Sequence, residues 1–302
     1  MAFGDGLIRW LTAPAVPSAA FHLGPGYLGG LRRSRKTGSV KGSVLRPVPP
    51  GVVEAAFDRP NIVKPDAFLA LLKDAVRRLG APEGPVGLLL PETCVKTALL
   101  TFDSLPTVPE ECEKVVRWKL QKTLPLPPAE TRLSFAVHRA EGRAKAFCVL
   151  AAEAVVREYE QAFARAGLSV RLIGIPTPAL LGCLPRNGAS SFLVVNVERD
   201  HFAALAVSDG EPVLFRVKPF SAEALWAEAA DETAATVRFI EDREKKSVET
   251  IWLRPAAGGG ETGVPFVQGK VGCPVKILPG DAPAGVPPAE KISLAALLGQ
   301  LT

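Results

Sequence analysis

Apolar residues recur at three- and four-residue spacing in several stretches of the chain, and each such stretch predicts a helix. Phe68, Leu71, Leu72, Ala75, Val76 and Leu79 share one face of a segment from Asp66 to Leu79, with Asp66 as the expected N-cap and Gly80 as the stop. Cys112, Val115, Val116, Leu120 and Leu124 repeat in the same way after Thr107-Val-Pro-Glu110, which reads as a capping box with proline in the tolerant first turn, and Pro125 ends the pattern. A third helix is expected at 154–166, closed by Gly167. A long one runs from Ser221 to about Arg243, with Trp226, Ala229, Thr233, Val237 and Ile240 inward. Shorter helical pieces are expected around Ala179–Leu184 and within Ala289–Leu301.

Short apolar or alternating runs bounded by turn residues predict strands at 19–23, 27–33, 41–48, 86–90, 96–102, 132–138, 144–150 and 170–175. A second set falls at 192–197, 202–207, 212–217, 251–253 and 274–278, with Asp209-Gly210 as a hairpin turn and a weak segment at 264–271. Gly258-Gly-Gly260 reads as a loop. Residues 1–18 form a lead-in in which Phe3, Leu7, Trp10 and Leu11 keep helical spacing until Thr12-Ala-Pro-Ala-Val-Pro17 breaks it. Two halves, beginning near Ala19 and Phe192, each open with three short strands and continue with alternating helices and strands. This pattern predicts a tandem α/β duplication with its boundary at 185–191.

Composition narrows the classes. The 302 residues are 47% hydrophobic and 22% charged, which excludes wholesale disorder. The net charge of +5 is uneven: residues 1–50 hold seven Lys/Arg against Asp5 alone, so the remainder sums to −1 and a uniformly basic nucleic-acid binder is not expected. The longest uncharged run, Leu11–Leu31, is broken by three prolines and four glycines and cannot make a membrane-spanning helix. No h-region of a secretory signal is visible, and five widely spaced cysteines without a two-residue pairing point to free thiols in a reducing compartment. A cytoplasmic protein with no metal site is the expectation.

Little catalytic chemistry is legible. No glycine precedes Lys-Ser or Lys-Thr at P-loop spacing, Gly24-Pro-Gly26 and Gly29-Gly30 do not form a dinucleotide fingerprint, and there is no Gly-x-Ser-x-Gly elbow. His22, His138 and His201, each in or beside a strand, read as partly exposed or hydrogen-bonded residues. The carboxylates Glu110, Glu111, Glu153 and Glu158 lie on polar helix faces. The basic run Arg32-Arg33-Ser-Arg35-Lys36, with Lys41 and Arg46, reads as an edge hairpin blunted by charge, without a base-stacking platform.

Four stretches carry a resemblance. They are Phe68–Gly80 with Val86–Pro91; Leu105-Pro106 with Glu110-Glu111, Arg117-Trp118 and Leu124-Pro125-Leu126; Cys148–Ala152 with Tyr159 and Ala166-Gly-Leu168; and Val194–Val197 with Asp209-Gly210 and Phe215-Arg216. Together they resemble the PilM-type proteins of type IV pilus assembly, within the actin-like superfamily. The resemblance implies an actin-like (ribonuclease H-like) tandem duplication. Its first domain spans 19–188, with an inserted subdomain at about 86–176, and its second spans 189–302. Outside the central segment the pattern is shared with other actin-like proteins such as FtsA and GspL.

The departures from that family matter as much. Actin-like ATPases open each domain with Asp-x-Gly, whose carboxylate holds the metal–phosphate. Here those positions read His22-Leu23-Gly24 and Asn196-Val197-Glu198. Gly258, Gly259 and Gly260 resemble the nucleoside-side glycines but are displaced by Arg254-Pro-Ala-Ala257. Between Arg216 and Ile251 there is room for one helix, so the small subdomain that walls the nucleotide cleft is expected to be missing. These losses predict a pseudo-ATPase that does not bind Mg·ATP, with a residual actin-like ATPase as the alternative.

The resemblance further implies a scaffold at the inner-membrane face that takes the cytoplasmic tail of a PilN-type partner as an extended peptide, with no nucleic-acid partner. The expected contacts are Trp118, Leu124, Pro125 and Leu126. Trp118 falls off the buried face set by Cys112, Val116 and Leu120, which suits an interface anchor, with packing on a neighbouring subdomain as the alternative. Peripheral membrane contact through Phe3–Leu11 or Ala289–Leu301 is a further reading, although both segments are short and suited to packing on the domain.

Overall fold

The computed structural model describes residues 16–123, 130–140, 142–185, 189–220, 225–255, 260–278, 285–287 and 290–301. In the first half, the strands β1 (Ala19–Gly24), β2 (Tyr27–Arg33) and β3 (Val40–Pro47) form an antiparallel meander, to which β4 (Val86–Leu89) and β8 (Val170–Gly174) add in parallel, giving the order β3-β2-β1-β4-β8. The second half repeats the plan. Its meander is β9 (Ser191–Val197), β10 (His201–Ser208) and β11 (Glu211–Pro219), followed by parallel β12 (Thr250–Arg254) and β13 (Val275–Ile277) in the order β11-β10-β9-β12-β13. The same order in both sheets is the structural signature of the duplication read from the sequence.

A third sheet, in the order β5-β7-β6, is built from β5 (Val95–Phe102), β6 (Thr131–Ala140) and β7 (Arg143–Ala152). Helix α2 (Pro109–Thr123) covers it. Alternation in β7 turns Ala144, Ala146, Cys148 and Leu150 onto Cys112, Val116 and Leu120 of the helix. The opposite face meets the second half, where the Phe147 and Phe215 rings lie 5.5 Å apart and Glu211 pairs with His138 (2.9 Å) and Lys145 (2.8 Å).

Helix α1 (Pro65–Leu79) packs on the first sheet through Phe68, Leu72, Ala75 and Leu79, all essentially buried, at roughly 2 kcal/mol for each large side chain. Its cap corrects the sequence expectation. Lys64 is the N-cap and Asp66 sits inside the first turn, because Pro65, with fixed φ and no N–H to leave unsatisfied, occupies the helix start. Helices α3 (Glu153–Arg165), α4 (Pro176–Ala179) and α5 (Leu225–Glu244) follow, and residues 221–224 of the expected long helix lie outside the described residues. The weak stretch at 264–271 is largely helical, within α6 (Gly260–Gln268). Gly260, expected in a loop, is that helix's first residue, and Gly258 and Gly259 lie outside the described residues.

The C-terminal helix α7 (Ala295–Gln300) is buried on every side, with no residue left facing solvent. It wedges between the halves, packing with Ala20, Leu31 and Leu89 of the first and Phe192, Val194 and Leu205 of the second. The contact is backbone to backbone: a Cβ on Gly299 would lie 1.9 Å from the Ala179 carbonyl oxygen, and one on Gly182 would lie 2.2 Å from the Gly299 oxygen. Only glycine fits at either position. No helix among the described residues is long and apolar enough to cross a membrane.

Candidate functional site

In open α/β sheets, ligands gather at the carboxyl ends of the parallel strands, where neighbouring connections diverge. In this chain β1, β4, β9 and β12 bring their carboxyl ends to a shared seam between the halves, and that seam is filled with polar side chains. Arg254, the last residue of β12, is 1% exposed. Its Nη1 donates to Glu198 and to Asn196 Oδ1 (2.9 Å), its Nη2 to the Tyr27 hydroxyl (2.8 Å), and its Nε to the Ile292 carbonyl (3.0 Å). Burial opposes its charge, but Glu198 and Tyr27 hold its pKa above the ordinary arginine value, so it remains a cation.

Tyr27 comes from the first half and Glu198 from the second, and the tyrosine hydroxyl donates to Glu198 Oε1 at 2.9 Å. The ring reaches the seam because position 24 is glycine, where a Cβ would stand 2.1 Å from Tyr27 Cζ. His22 lies edge-on to that ring, its Nδ1 3.3 Å from the hydroxyl. Burial, with the Arg254 charge nearby, brings its pKa down to about 4, so it sits neutral in the seam.

A second, connected cluster centres on Glu92, which is buried after β4. Burial would raise its pKa, but hydrogen bonds from His201 Nε2 (3.1 Å) and from the Thr177 hydroxyl (2.5 Å) and amide (2.8 Å) outweigh this and hold it at about 2. His201, equally buried, is raised to about 10: burial opposes the charge, and Asp200 (2.6 Å) and Glu92 on its two ring nitrogens overcome it. Asn196 joins the clusters, accepting from Arg254 at Oδ1 and donating from Nδ2 to Glu92 Oε1 at 3.3 Å. An aspartate at 196 would lose that donor and set a like charge beside Glu92.

The structure therefore brings His22, Gly24 and Asn196 of the sequence-derived set together at the seam. Sequence reasoning missed Tyr27, Glu92, Thr177, Glu198, His201 and Arg254 as its other members. One signal was available: an arginine closing the apolar strand Ile251–Leu253, and an acid closing Val86–Leu90, are charges at strand ends that point into the crevice.

The second sequence-derived set belongs to the inserted sheet. Trp118 is 56% exposed on α2, with Lys122 Nζ 3.7 Å over its ring, and does not pack into a neighbouring subdomain. Leu124, Pro125 and Leu126 lie outside the described residues. Beside α2, β6 pairs only with β7 and forms the edge of its sheet among the described residues. Arg132 near its start reaches α3, to Glu153 (2.8 Å) and Glu160 (2.5 Å). Among the described residues no cluster of His, Cys, Asp and Glu suits a metal ion, and the five cysteines form no disulfide.

No protein-family model matches the chain, and no curated protein sequence matches it. Solved structures do. A PilM–PilN type IV pilus biogenesis complex matches over 96% of this chain and 100% of the other, at TM-score 0.79 and 18% identity. A Bacteroides thetaiotaomicron protein with an actin-like ATPase fold and unknown function matches over 94% and 95%, at TM-score 0.56 and 10% identity. The cytoplasmic domain of EpsL, an inner-membrane component of the Vibrio cholerae type II secretion system, matches over 92% and 94%, at TM-score 0.50 and 13% identity. At these identities the matches establish the fold, which is actin-like across nearly the whole chain.

Proposed function

We propose that this chain is a non-catalytic adaptor of a type IV pilus or related secretion assembly. In this reading it works at the cytoplasmic face of the inner membrane and holds the cytoplasmic tail of a PilN-type membrane partner. The observation that carries the reading is the seam, where a buried guanidinium paired to Glu198, Asn196 and Tyr27 occupies the strand ends at which an actin-like protein would hold nucleotide phosphates. Mg·ATP does not fit that arrangement. The two metal-holding carboxylate positions are His22 and Asn196, the approach to Gly24 is taken by the Tyr27 ring, and Arg254 and His201 are already engaged by the seam's own acids. Among the described residues a single helix, α5, lies between β11 and β12, which leaves little to wall the seam on that side.

The likeness to a pilus complex and to a secretion component gives the context, and the inserted sheet offers the docking place. An extended tail can pair through its main chain with the edge of β6, its side chains alternating between the face that α2 covers, where Trp118 stands, and the opposite face. The test is a fluorescence-anisotropy titration with a labelled N-terminal tail from the PilN-type protein of the same genome. Saturable binding, weakened at least about tenfold by Trp118→Ala, is the expected result. No binding, or binding indifferent to Trp118 and to a proline placed in β6 at Ser134, would overturn the proposed site.

A further inference from the structure

A positively charged surface lies apart from both sites. The β2–β3 connection carries Arg35 and Lys36, both exposed, and residues 31–50 hold six Lys/Arg without one Asp or Glu. This hairpin lies against the end of α1. Arg32 Nε donates to the Leu79 carbonyl at 3.0 Å, and the Arg35 guanidinium comes within 3.0 Å of where a Cβ on Gly84 would stand. On β3, Gly42 and Val44 face α1, and the same alternation turns Arg46 onto Asp74, at 3.1 Å. Asp74 also takes Arg77 (2.5 Å) and Arg78 (2.9 Å) from its own helix. Three guanidiniums therefore share one carboxylate, and Arg77 and Arg78 remain mostly exposed. The sequence separates these charges into a hairpin and a helix, and the fold joins them into one face.

We propose that this face binds the phosphate headgroups of an anionic phospholipid bilayer. Excess guanidinium charge gathered on the outer side of a helix and hairpin matches a plane of phosphates and falls off with salt. Single-stranded nucleic acid is a poorer match, since Tyr27 and Phe68, the aromatic residues of β2, β3 and α1, both turn inward and offer no ring for stacking. The choice of a bilayer over another polyanion rests on the adaptor reading, in which the chain works against the inner membrane. Vesicle contact would orient the chain and restrict the partner's tail to one plane, raising their effective concentration.

The test is flotation of the full chain, without partner peptide, on phosphatidylcholine vesicles with and without phosphatidylglycerol. Binding only to the anionic vesicles is expected, and it should weaken as salt rises. Each basic residue at such a surface contributes about fivefold, so Arg35→Glu, Arg77→Glu and Arg78→Glu combined should weaken it at least about a hundredfold. The control pair Arg238→Glu and Arg243→Glu, exposed on α5, should leave it within about threefold. Failure to float with anionic vesicles would overturn the proposal, as would equal loss in the control. Patch-dependent binding of a duplex oligonucleotide in place of vesicles would also overturn it and reassign the face to nucleic acid. Tail titrations on the same variants report separately on the adaptor reading, because the substituted side chains belong to α1 and the β2–β3 connection, whereas Trp118 and β6 belong to the inserted sheet and its helix.

Discussion

Replacing Arg254 with methionine should destabilise the chain by about 3–5 kcal/mol, the cost of leaving a buried charge without its partner. The side chain is 1% exposed and Glu198 2%, so water cannot take over the lost contacts. The substitution also removes the donors that Asn196 Oδ1 and the Ile292 carbonyl accept from. In a chain of this size that corresponds to a melting temperature lower by roughly 5–8 °C. Urea unfolding followed by both far-ultraviolet circular dichroism and tryptophan fluorescence measures the difference, provided that the two probes coincide. A second variant makes the argument specific: adding Glu198→Gln to Arg254→Met removes the stranded carboxylate and should restore about 2 kcal/mol or more. The reasoning is refuted if the single variant loses less than about 1 kcal/mol, or if the two substitutions simply add.

Other consequences of the same geometry can be checked in parallel. Gly299→Ala places a methyl 1.9 Å from the Ala179 carbonyl oxygen, where neither backbone can give way, and should cost about 3 kcal/mol or more in the same urea assay; a near-neutral result would mean that α7 does not sit so tightly between the halves. Stability should peak near pH 6.5, for two reasons of opposite sign. His22, lowered from 6.5 to about 4, contributes fully above pH 6.5 and loses its share as pH falls through 4, whereas His201, raised from 6.5 to about 10, contributes fully below pH 6.5 and loses its share as pH rises through 10. Glu92, lowered from 4.5 to about 2, steepens the acid side below pH 4.5. His201→Gln should flatten the alkaline limb of a urea-midpoint profile and, by removing a donor that holds Glu92 low, soften the acid limb below pH 4.5 as well; an unchanged alkaline limb would show that His201 is not held as a cation.

The repeated strand plan was legible because each strand and helix carries its own period. The three-strand openings at Ala19 and Phe192, the apolar run Val86–Leu90 and the stripe Phe68–Leu79 are local signals that packing did not override. Boundaries failed where two residues competed for one role, as when Pro65 took the start of α1 and moved the cap to Lys64. The segment at 260–268 was obscure because its glycines and Pro265 argue against a helix that tertiary contacts, such as buried Val267, nonetheless hold. The seam was only half legible. His22 and Asn196 stood out because they replace carboxylates expected from a resemblance. Tyr27, Glu92 and Arg254 lie up to 227 residues apart in contacts that no local pattern encodes. The basic face had the same difficulty, since Arg46 joins Arg77 and Arg78 on Asp74 only once α1 packs on β2 and β3.

The central claim is that the seam is a structural cross-link and that the adaptor works without nucleotide. The most direct measurement is the affinity of the wild-type chain for the partner's tail with and without saturating Mg·ATP, because a nucleotide bound between the halves and coupled to the tail must change that affinity reciprocally. The account predicts the same dissociation constant in both conditions. A tail that binds only with Mg·ATP, or binds fivefold or more tightly with it, would contradict the account.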